Sequence, residues 1–276
     1  MGVYETMEIL QSIAENLRGI KDKKPLIHHI TNYVTVNDCA NMTLAIGASP
    51  VMADDIGEVE EMVSFAGSLV LNIGTLNSRT IESMLVAGKK ARQMGIPIIF
   101  DPVGVGATKL RTGTAERIIR EVCPSVIRGN MSEIKIIAGF QETIKGVDSV
   151  ASAEDGEQVA QELSQKLAAV IAITGKRDII AQGDRIVRID NGHPMLSQVT
   201  GTGCMATSLI GCFCGAINDC FTGAAAGIMM MGLAGELAQH SLQAGEGIGT
   251  FRMRLFDAVS TLTPKMILEA GKINKG

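Results

Sequence analysis

The chain has 276 residues, of which 46% are hydrophobic and 3% aromatic, and its mean hydropathy is +0.24. This composition provides ample core material and excludes a disordered chain, and one large domain accounts for the length as well as two small ones. With 25 basic residues, 29 acidic residues and no Trp, the chain lacks the basic footprint and stacking surface of a nucleic-acid-binding protein and favours an enzyme that acts on small molecules.

The N-terminal segment is predicted to be an amphipathic helix, because Leu10, Ile13 and Leu17 recur at helical spacing. The polar run 21–24 follows and predicts a break before the first strand. Short apolar runs then predict six strands, at residues 25–30, 50–52, 68–73, 96–100, 125–127 and 169–173.

Helical stretches lie between most of these strands, one of them at residues 37–46. Ser78 is placed to cap another helix that runs to Gln93, with Gly95 as its C-terminal glycine. Strands that alternate with helices of about ten to fifteen residues indicate βαβ units and a mostly parallel sheet.

The C-terminal part of the chain departs from this alternation. Residues 179–181 and 185–189 flank Gly183 and Asp184 and predict an antiparallel hairpin beside the sheet. From Gly203 onward the sequence is almost wholly helical in pattern. We therefore expect one α/β domain over residues 1–276, with a mostly parallel central sheet flanked by helices.

The cysteine pattern and the apolar segments indicate the compartment. Four cysteines cluster without paired CxxC spacing and without a neighbouring His, which favours buried thiols over a zinc site: Cys204, Cys212, Cys214 and Cys220. The apolar stretch 203–238 is interrupted by Asn218 and Asp219 and closed by Glu236, which favours core helices over membrane spans. With acidic residues near the N-terminus instead of a signal peptide, the expected location is the cytoplasm.

Polar or glycine-rich residues follow five of the predicted strands. Since ligands bind at the carboxyl ends of parallel strands, these segments are expected to converge on one edge of the sheet. They are the runs 28–32 (HHITN), 72–75 (NIGT), 101–104 (DPVG), 128–133 (RGNMSE) and 174–175 (TG).

A sixth feature is the run 200–204 (TGTGC), which leads into a long helix. The free amide groups and the positive dipole end of a helix N-terminus suit an anion, so Gly201, Thr202 and Gly203 predict an anion hole for a phosphate or an oxyanion. The run lacks the Gly-Lys-Ser/Thr of a Walker A loop. A plain turn that starts a helix is the alternative interpretation.

Two acids and an arginine complete a candidate phosphoryl-transfer site. Asp101 and Glu133 are hard oxygen ligands of the kind that hold Mg²⁺, although each could also be a helix cap or a surface acid. Arg128 suits phosphate oxygens, and its alternative role is an exposed salt bridge. Together with the anion hole, these residues predict Mg²⁺-assisted phosphoryl transfer.

Cys204 is the candidate catalytic residue. A thiol at a helix N-terminus is expected to ionise more readily than a free one, so it could take the proton of a substrate hydroxyl or act as a nucleophile. A small apolar residue that fills a tight turn is the alternative.

Seven motifs in the same order make the chain resemble the hydroxyethylthiazole kinases of the ribokinase-like superfamily, from about residue 24 to residue 262. The resemblance implies a three-layer ribokinase-like fold without a separate lid domain. It also implies ATP-dependent phosphorylation of the hydroxyl of 4-methyl-5-(2-hydroxyethyl)thiazole, a need for Mg²⁺, and a homotrimer with active sites at subunit interfaces. The motifs are HHITN (28–32), SPVMAD (49–54), NIGTL (72–76), DPVGVGAT (101–108), RGNMSE (128–133), AITGKRD (172–178) and VTGTGC (199–204).

Residue roles follow from the same resemblance. Most ribokinase-like sugar kinases have Asp where this chain has Cys204. The Cys is shared with the thiazole kinases, which supports the narrower assignment but leaves open whether the thiol is a base or only orients the alcohol. The implied roles are ATP binding by Arg128 and Thr174, metal support by Asp101 and Glu133, thiazole contact by Met52 and Gly201 with Asn32 nearby, and an anion hole at residues 201–204.

Other functions remain as alternatives at this point. A ribokinase-like kinase of another heteroaromatic alcohol, such as hydroxymethylpyrimidine or pyridoxal, would share these motifs. A nucleotide-binding sensor without catalysis would bind ATP and produce no ADP. A dinucleotide oxidoreductase is disfavoured, because the glycines at 104 and 106 lack a third partner and those at 245, 247 and 249 have the wrong spacing.

Overall fold

The computed structural model describes residues 2–140, 156–217 and 219–276, and within them the chain forms a nine-stranded sheet with helices on both faces. The predicted strands are all present, with ends that differ by a few residues. The strands are β1 (Leu26–Ile30), β2 (Ser49–Val51), β3 (Ser68–Asn72), β4 (Ile98–Asp101), β5 (Val126–Asn130), β6 (Val170–Thr174), β7 (Asp178–Gln182), β8 (Arg185–Ile189) and β9 (Ile273–Lys275).

The helices of the described residues fill the connections and the C-terminal third, and a 3₁₀ helix, Pro194–Gln198, precedes α8. They are α1 (Gly2–Lys23), α2 (Val36–Ile46), α3 (Val59–Ser64), α4 (Ser78–Met94), α5 (Lys109–Glu121), α6 (Met131–Gly139), α7 (Gly156–Leu167), α8 (Thr202–Ala216), α9 (Cys220–His240), α10 (Ile248–Thr261) and α11 (Pro264–Ala270).

The order of strands in the sheet is β2-β1-β3-β4-β5-β6-β7-β8-β9. The first six strands run parallel, and β7 and β8 form the predicted antiparallel hairpin. The expectation that the last third is almost wholly helical misses β9, which pairs antiparallel with β8 through Val187 and Lys275. Only one of its three residues is buried, so neither length nor pattern marked it as a strand.

Alternating side chains of the sheet build two cores, one on each face. In β3, Val70 points into a core with α1, α2 and α8–α11, whereas Leu69 and Leu71 point into a core with α3–α7. Two layers of helices therefore enclose the sheet, and the sheet is the middle of the three layers, as expected for the predicted α/β class.

The apolar stretch that follows Gly203 forms two tightly packed helices in the first core. A Cβ atom at Gly227 of α9 would lie only 2.6 Å from Cα of Ile210 in α8, so the two backbones are in contact. Among the described residues α9 is the one helix long and apolar enough to cross a bilayer, and 83% of its apolar window is buried inside the protein. Asp219 caps α9, and Asn218 lies outside the described residues.

Two local predictions about helix ends are wrong. The N-cap of α4 is Asn77 and not Ser78, because the Asn77 side chain accepts a hydrogen bond from the amide of Thr80. Helix α1 continues to Lys23 through the polar run, since Ile20 is fully buried and keeps the last turn packed. The predicted C-terminal glycine of α4, Gly95, is confirmed in the left-handed conformation.

Candidate active site

The polar segments after β1, β3 and β4 meet at one edge of the sheet, beside the start of α8. Asn32 donates a hydrogen bond to Oδ1 of Asn72 (3.0 Å), and Asn72 donates one to Oδ2 of Asp101 (3.0 Å). Both amide nitrogens also lie 3.3 Å from Sγ of Cys204. The predicted convergence of the strand ends is therefore present as a continuous polar network.

The turn that starts α8 is built around Gly201. This residue is the N-cap and has φ +85°. There is no room for a side chain at this position, because a Cβ atom would overlap Cγ2 of Thr35. The hydroxyl of Thr202 donates to the Leu196 carbonyl (2.9 Å), which fixes the turn from outside. The first amides of α8 have no partner within the helix, so the turn has the geometry of an anion-binding site.

Arg128 lies against this turn. Its guanidinium donates to Oγ1 of Thr174 (2.5 Å) and stands 3.7 Å from Oδ2 of Asp101. A Cβ at Gly203 would lie 2.6 Å from the guanidinium, so only glycine allows this approach. Because the Arg128 side chain is 13% exposed, it is not the exposed salt bridge of the alternative interpretation.

Asp101, at the end of β4, is fully buried. Its Oδ2 accepts hydrogen bonds from Asn72 and from Oγ1 of Thr207 (2.8 Å), whereas Oδ1 has no hydrogen-bond partner among the described residues. Burial raises the pKa of Asp101 to about 6, against the opposing charge of Arg128. The side chain thus presents one buried, unused carboxylate oxygen at the site.

Glu133 lies at the start of α6 and joins two strand-end loops. Its Oε2 accepts from the amide of Asn130, which completes a capping box, and its Oε1 accepts from the amide of Gly104 (both 2.9 Å). Its negative charge contributes to the raised pKa of Asp101. Glu133 therefore has the helix-capping role that the sequence analysis gave as an alternative. Its carboxylate also supplies negative charge of the kind that a metal ion requires.

The geometry also limits how a metal ion could be held. In the part of the chain that the structure describes, no three His, Cys, Asp or Glu side chains cluster as metal ligands. Asp101 and Glu133 could support a divalent cation only if substrate phosphates and waters supplied the remaining ligands, as is usual for Mg²⁺.

The expectation that Cys204 ionises readily is wrong. Burial raises the pKa of its thiol, and the negative charge of Asp101 raises it further. The N–H groups of Asn32 and Asn72 favour the thiolate but do not offset these two effects. Cys204 is the third residue of α8, and burial of its thiol opposes the effect of the helix N-terminus on the pKa.

Met52 directly follows β2 and is half-buried. Since β2 pairs in parallel with β1 (Val51 opposite His28), Met52 lies on the same edge of the sheet as Asn32. The structure does not include it in the polar network around Cys204. Its predicted contact with the thiazole stays a prediction.

Three residues of the site were not singled out from the sequence. Asn72 was recognised only as part of a strand end. Thr207 could have been identified from the sequence, because it stands one helical turn after Gly203 and Cys204 and therefore lies on the same face of the helix. Arg111 had no signal: it comes from α5, yet its guanidinium donates to the carbonyls of Ile73, Val103 and Gly74 (2.7 Å each). These bonds tie the loops after β3 and β4 together.

A cavity of about 640 Å³ opens beside the anion turn. Its lining includes Arg128, Thr174 and Gly203, together with residues 191–193 and part of α9. This volume lies within the range of about 300–1,000 Å³ that is typical of small-molecule sites.

Comparisons with known proteins identify the family of the chain. The model of the hydroxyethylthiazole kinase family matches residues 17–265. The hydroxyethylthiazole kinase of Alkaliphilus oremlandii is 54% identical over 98% of this chain and 100% of the relative, and that of Clostridium beijerinckii is 52% identical over 97% and 99%.

Solved structures show the same fold. The structure of the hydroxyethylthiazole kinase protein from Pyrococcus horikoshii OT3 has a TM-score of 0.88 at 34% identity and covers 96% of this chain and 98% of its own. A pyridoxal kinase from Staphylococcus aureus in complex with ADP has a TM-score of 0.59 at 14% identity, covering 78% and 88%. The latter likeness concerns the fold alone.

Proposed function

The chain belongs to the hydroxyethylthiazole kinase family, and on that premise we propose that it transfers the γ-phosphoryl group of ATP to the hydroxyl of 4-methyl-5-(2-hydroxyethyl)thiazole. The product is the thiazole phosphate used in thiamine biosynthesis. One observation carries the proposal: the anion turn at Gly201, the Arg128 guanidinium and the network around Cys204 meet at one edge of the sheet. A reaction that consumes ATP also supports the proposal that the protein acts in the cytoplasm.

The phosphate end of ATP is bound by backbone and side chain together. The first amides of α8 and the guanidinium of Arg128 face the same space, because Gly203 brings them into contact. Both supply positive charge where negative charge develops during phosphoryl transfer. Thr174 holds the guanidinium in place with its hydroxyl. The cavity of about 640 Å³ that Arg128 and Thr174 line accommodates the rest of the nucleotide.

The acceptor alcohol is bound at the Cys204 end of the same turn, with Asn32, Met52 and Gly201 around it. Since burial raises the pKa of the thiol, Cys204 meets the substrate as a neutral group. It orients the hydroxyl toward the γ-phosphate and does not take its proton as a thiolate. A dissociative phosphoryl transfer needs little help from a base, so this role is sufficient.

The residues at the phosphate end fit a magnesium ion. In the part of the chain that the structure describes, the buried Oδ1 of Asp101 has no hydrogen-bond partner and is a hard oxygen ligand, and Glu133 adds a second negative charge nearby. When bound, Mg²⁺ would neutralise charge on the transferring phosphoryl group. Asp101 and Glu133 would hold it together with the phosphates of ATP.

Replacement of Cys204 distinguishes an orienting thiol from a base. We expect Cys204→Ala to lower kcat only about tenfold, since loss of a general base typically costs about 10²–10⁴-fold. Cys204→Ser, which keeps a hydrogen-bonding group, should recover part of the loss. The measurement is kcat as a function of pH for all three proteins; a rate that rises with thiol ionisation only in the wild type would contradict the orienting role.

The proposed reaction itself is tested by mass spectrometry after incubation with ATP, Mg²⁺ and the thiazole alcohol. Thiazole phosphate that disappears when EDTA is added supports the substrate and the metal together. Faster turnover of hydroxymethylpyrimidine or pyridoxal would assign the chain to another heteroaromatic alcohol. Nucleotide binding without ADP production from any of the three alcohols would make it a sensor.

We also propose a homotrimer with active sites at the subunit interfaces. Large apolar side chains are exposed beside the acceptor end: Tyr33 (75%) and Val34 (62%) directly follow Asn32, and Ile56 (51%) lies four residues after Met52. A second copy of the chain is the occupant proposed for this surface, since it would shield both the apolar side chains and the reacting groups from water.

Sedimentation should therefore give a mass about three times that of the 29.2 kDa chain. A charge at the interface, Val34→Asp, is expected to dissociate the assembly and to raise the KM for the alcohol. Phe65→Ser is the matched control, because Phe65 is equally exposed (69%) but lies at the end of α3. A monomer with full activity would overturn the proposed assembly.

A further inference from the structure

The segment Asn191–Gly192–His193 separates two cavities. On one side it lines the cavity of about 640 Å³ that holds Arg128 and Thr174. On the other side Gly192 and His193 line a second cavity of about 510 Å³, together with Glu236 of α9. This segment is therefore a wall that the proposed nucleotide site shares with the second cavity. What holds this wall in place affects the shape of the nucleotide site.

One carboxylate oxygen connects the wall to two other elements. Oε1 of Glu236 accepts hydrogen bonds from the amide of Gly192 (2.9 Å), from Nδ2 of Asn191 (3.3 Å) and from Nζ of Lys272 (3.0 Å). The Asn191 side chain is buried, donates to the Ala270 carbonyl (2.9 Å) and accepts from the amide of Lys272 (2.7 Å). Glu236 thus joins the wall, α9 and the segment that leads into β9.

The wall also touches α9 one helical turn before Glu236. A Cβ atom at Gly232 of α9 would lie 2.6 Å from the Asn191 carbonyl oxygen, so the wall rests directly on the helix backbone. Gly192 has φ +146°, a conformation that few other residues adopt. The wall is therefore held on α9 at two points, by backbone contact at Gly232 and by hydrogen bonds to the Glu236 carboxylate.

We propose that Glu236 is a positioning residue for the nucleotide: it holds the 191–193 wall in the position that accepts the base and ribose of ATP. The inference rests on the proposed function, because it takes the larger cavity as the nucleotide site. Glu236 does not line that cavity, so its effect passes through Gly192 and Asn191. A hydrogen bond to a charged group is among the stronger ones in a protein, and its loss leaves the Gly192 amide without this partner and the wall held by the other bonds of Asn191.

The test is binding of a non-hydrolysable ATP analogue by calorimetry, with steady-state kinetics on the same proteins. We expect Glu236→Ala to raise the Kd of the analogue and the KM for ATP about tenfold. Glu236→Gln keeps the shape and one acceptor oxygen, so a rise of about threefold is expected. The kcat at saturating ATP and the KM for the alcohol should not change.

Glu269→Ala is the matched control, because Glu269 lines the same second cavity but forms an exposed ion pair of 3.7 Å with Lys265 and no bond to the wall among the described residues. This variant is expected to bind the analogue as the wild type does. An unchanged Kd in both Glu236 variants, or a loss of kcat with unchanged Kd, would overturn the inference. A wild-type protein that binds no nucleotide would instead overturn the proposed function.

Discussion

Asp101→Asn is expected to lower kcat by roughly 10²–10³-fold while the fold remains intact. The amide retains an oxygen that can accept from Asn72 and Thr207, so the local network is kept. The substitution removes the negative charge beside Arg128 and replaces one of the two carboxylate oxygens. Binding of the cation and orientation of the phosphates both depend on this carboxylate. Steady-state kinetics with ATP and the thiazole alcohol measure the effect.

The same substitution should increase stability. The pKa of Asp101 is raised from 3.8 to about 6 in the folded protein, so the folded state holds this proton more tightly than the unfolded state does. The contribution of the group to the unfolding free energy therefore falls as the pH rises through this window, and at pH 7 the buried charge costs about 2–3 kcal/mol. Asp101→Asn removes that cost, partly offset by the charge left on Arg128.

Urea unfolding at pH 7 checks this expectation, and Asp257→Asn, an exposed acid of α10, is the control that should alter neither rate nor stability. A lower rate combined with a higher urea midpoint is the expected pair of results. If Asp101→Asn were less stable and fully active, the carboxylate would be a structural group and its proposed role at the phosphate end would be wrong.

Gly201→Ala is expected to reduce kcat about 10²-fold and to destabilise the protein by roughly 2–3 kcal/mol. Two physical effects combine at this position. The backbone has φ +85°, which a side chain disfavours, and the new methyl group would overlap Cγ2 of Thr35. The turn must then move, which displaces the amides that bind the phosphate. Activity and thermal unfolding of the purified variant give both quantities.

A second substitution separates these two effects. Thr35→Ser removes Cγ2 and keeps the hydroxyl that donates to Asn32, so the double variant should regain the part of the activity lost to steric overlap. Gly113→Ala, where a Cβ meets nothing within 4 Å in the interior of α5, is expected to be neutral or stabilising. Equal activity in the single and double variants would show that backbone strain alone, and not contact with Thr35, disturbs the turn.

The site shows which chemical groups local sequence identifies and which it does not. Asp101, Arg128 and the glycines of residues 201–203 could be found because each follows a strand or starts a helix, and such positions converge in a parallel sheet. Asn72 and Arg111 were missed because their roles come from partners that are distant in the chain. Arg111, for example, binds carbonyls 37 and 38 residues away.

The pKa of Cys204 is a second property for which the expectation from the sequence differs from the folded protein. A helix N-terminus lowers the pKa of a thiol in isolation, and the sequence contains no sign of the opposing effects. In the folded protein the thiol is largely removed from water and lies close to the charge of Asp101. The sum of burial, dipole and neighbouring charge decides the sign of the shift, and that sum requires the positions of all three.

The sequence by itself determined the fold class, eight of the nine described strands and most helices, the edge of the sheet that carries the polar residues, and the family. These features depend on the periodicity of apolar residues, on glycines at turns and on short motifs in a fixed order. Each of these can be read from a short stretch of sequence. Only the tertiary structure decided the protonation of Cys204, the unused oxygen of Asp101, the pairing of β9 with β8 and the link from Glu236 to the cavity wall. Each of these depends on burial or on contacts between residues far apart in the chain, and no local pattern encodes such distances.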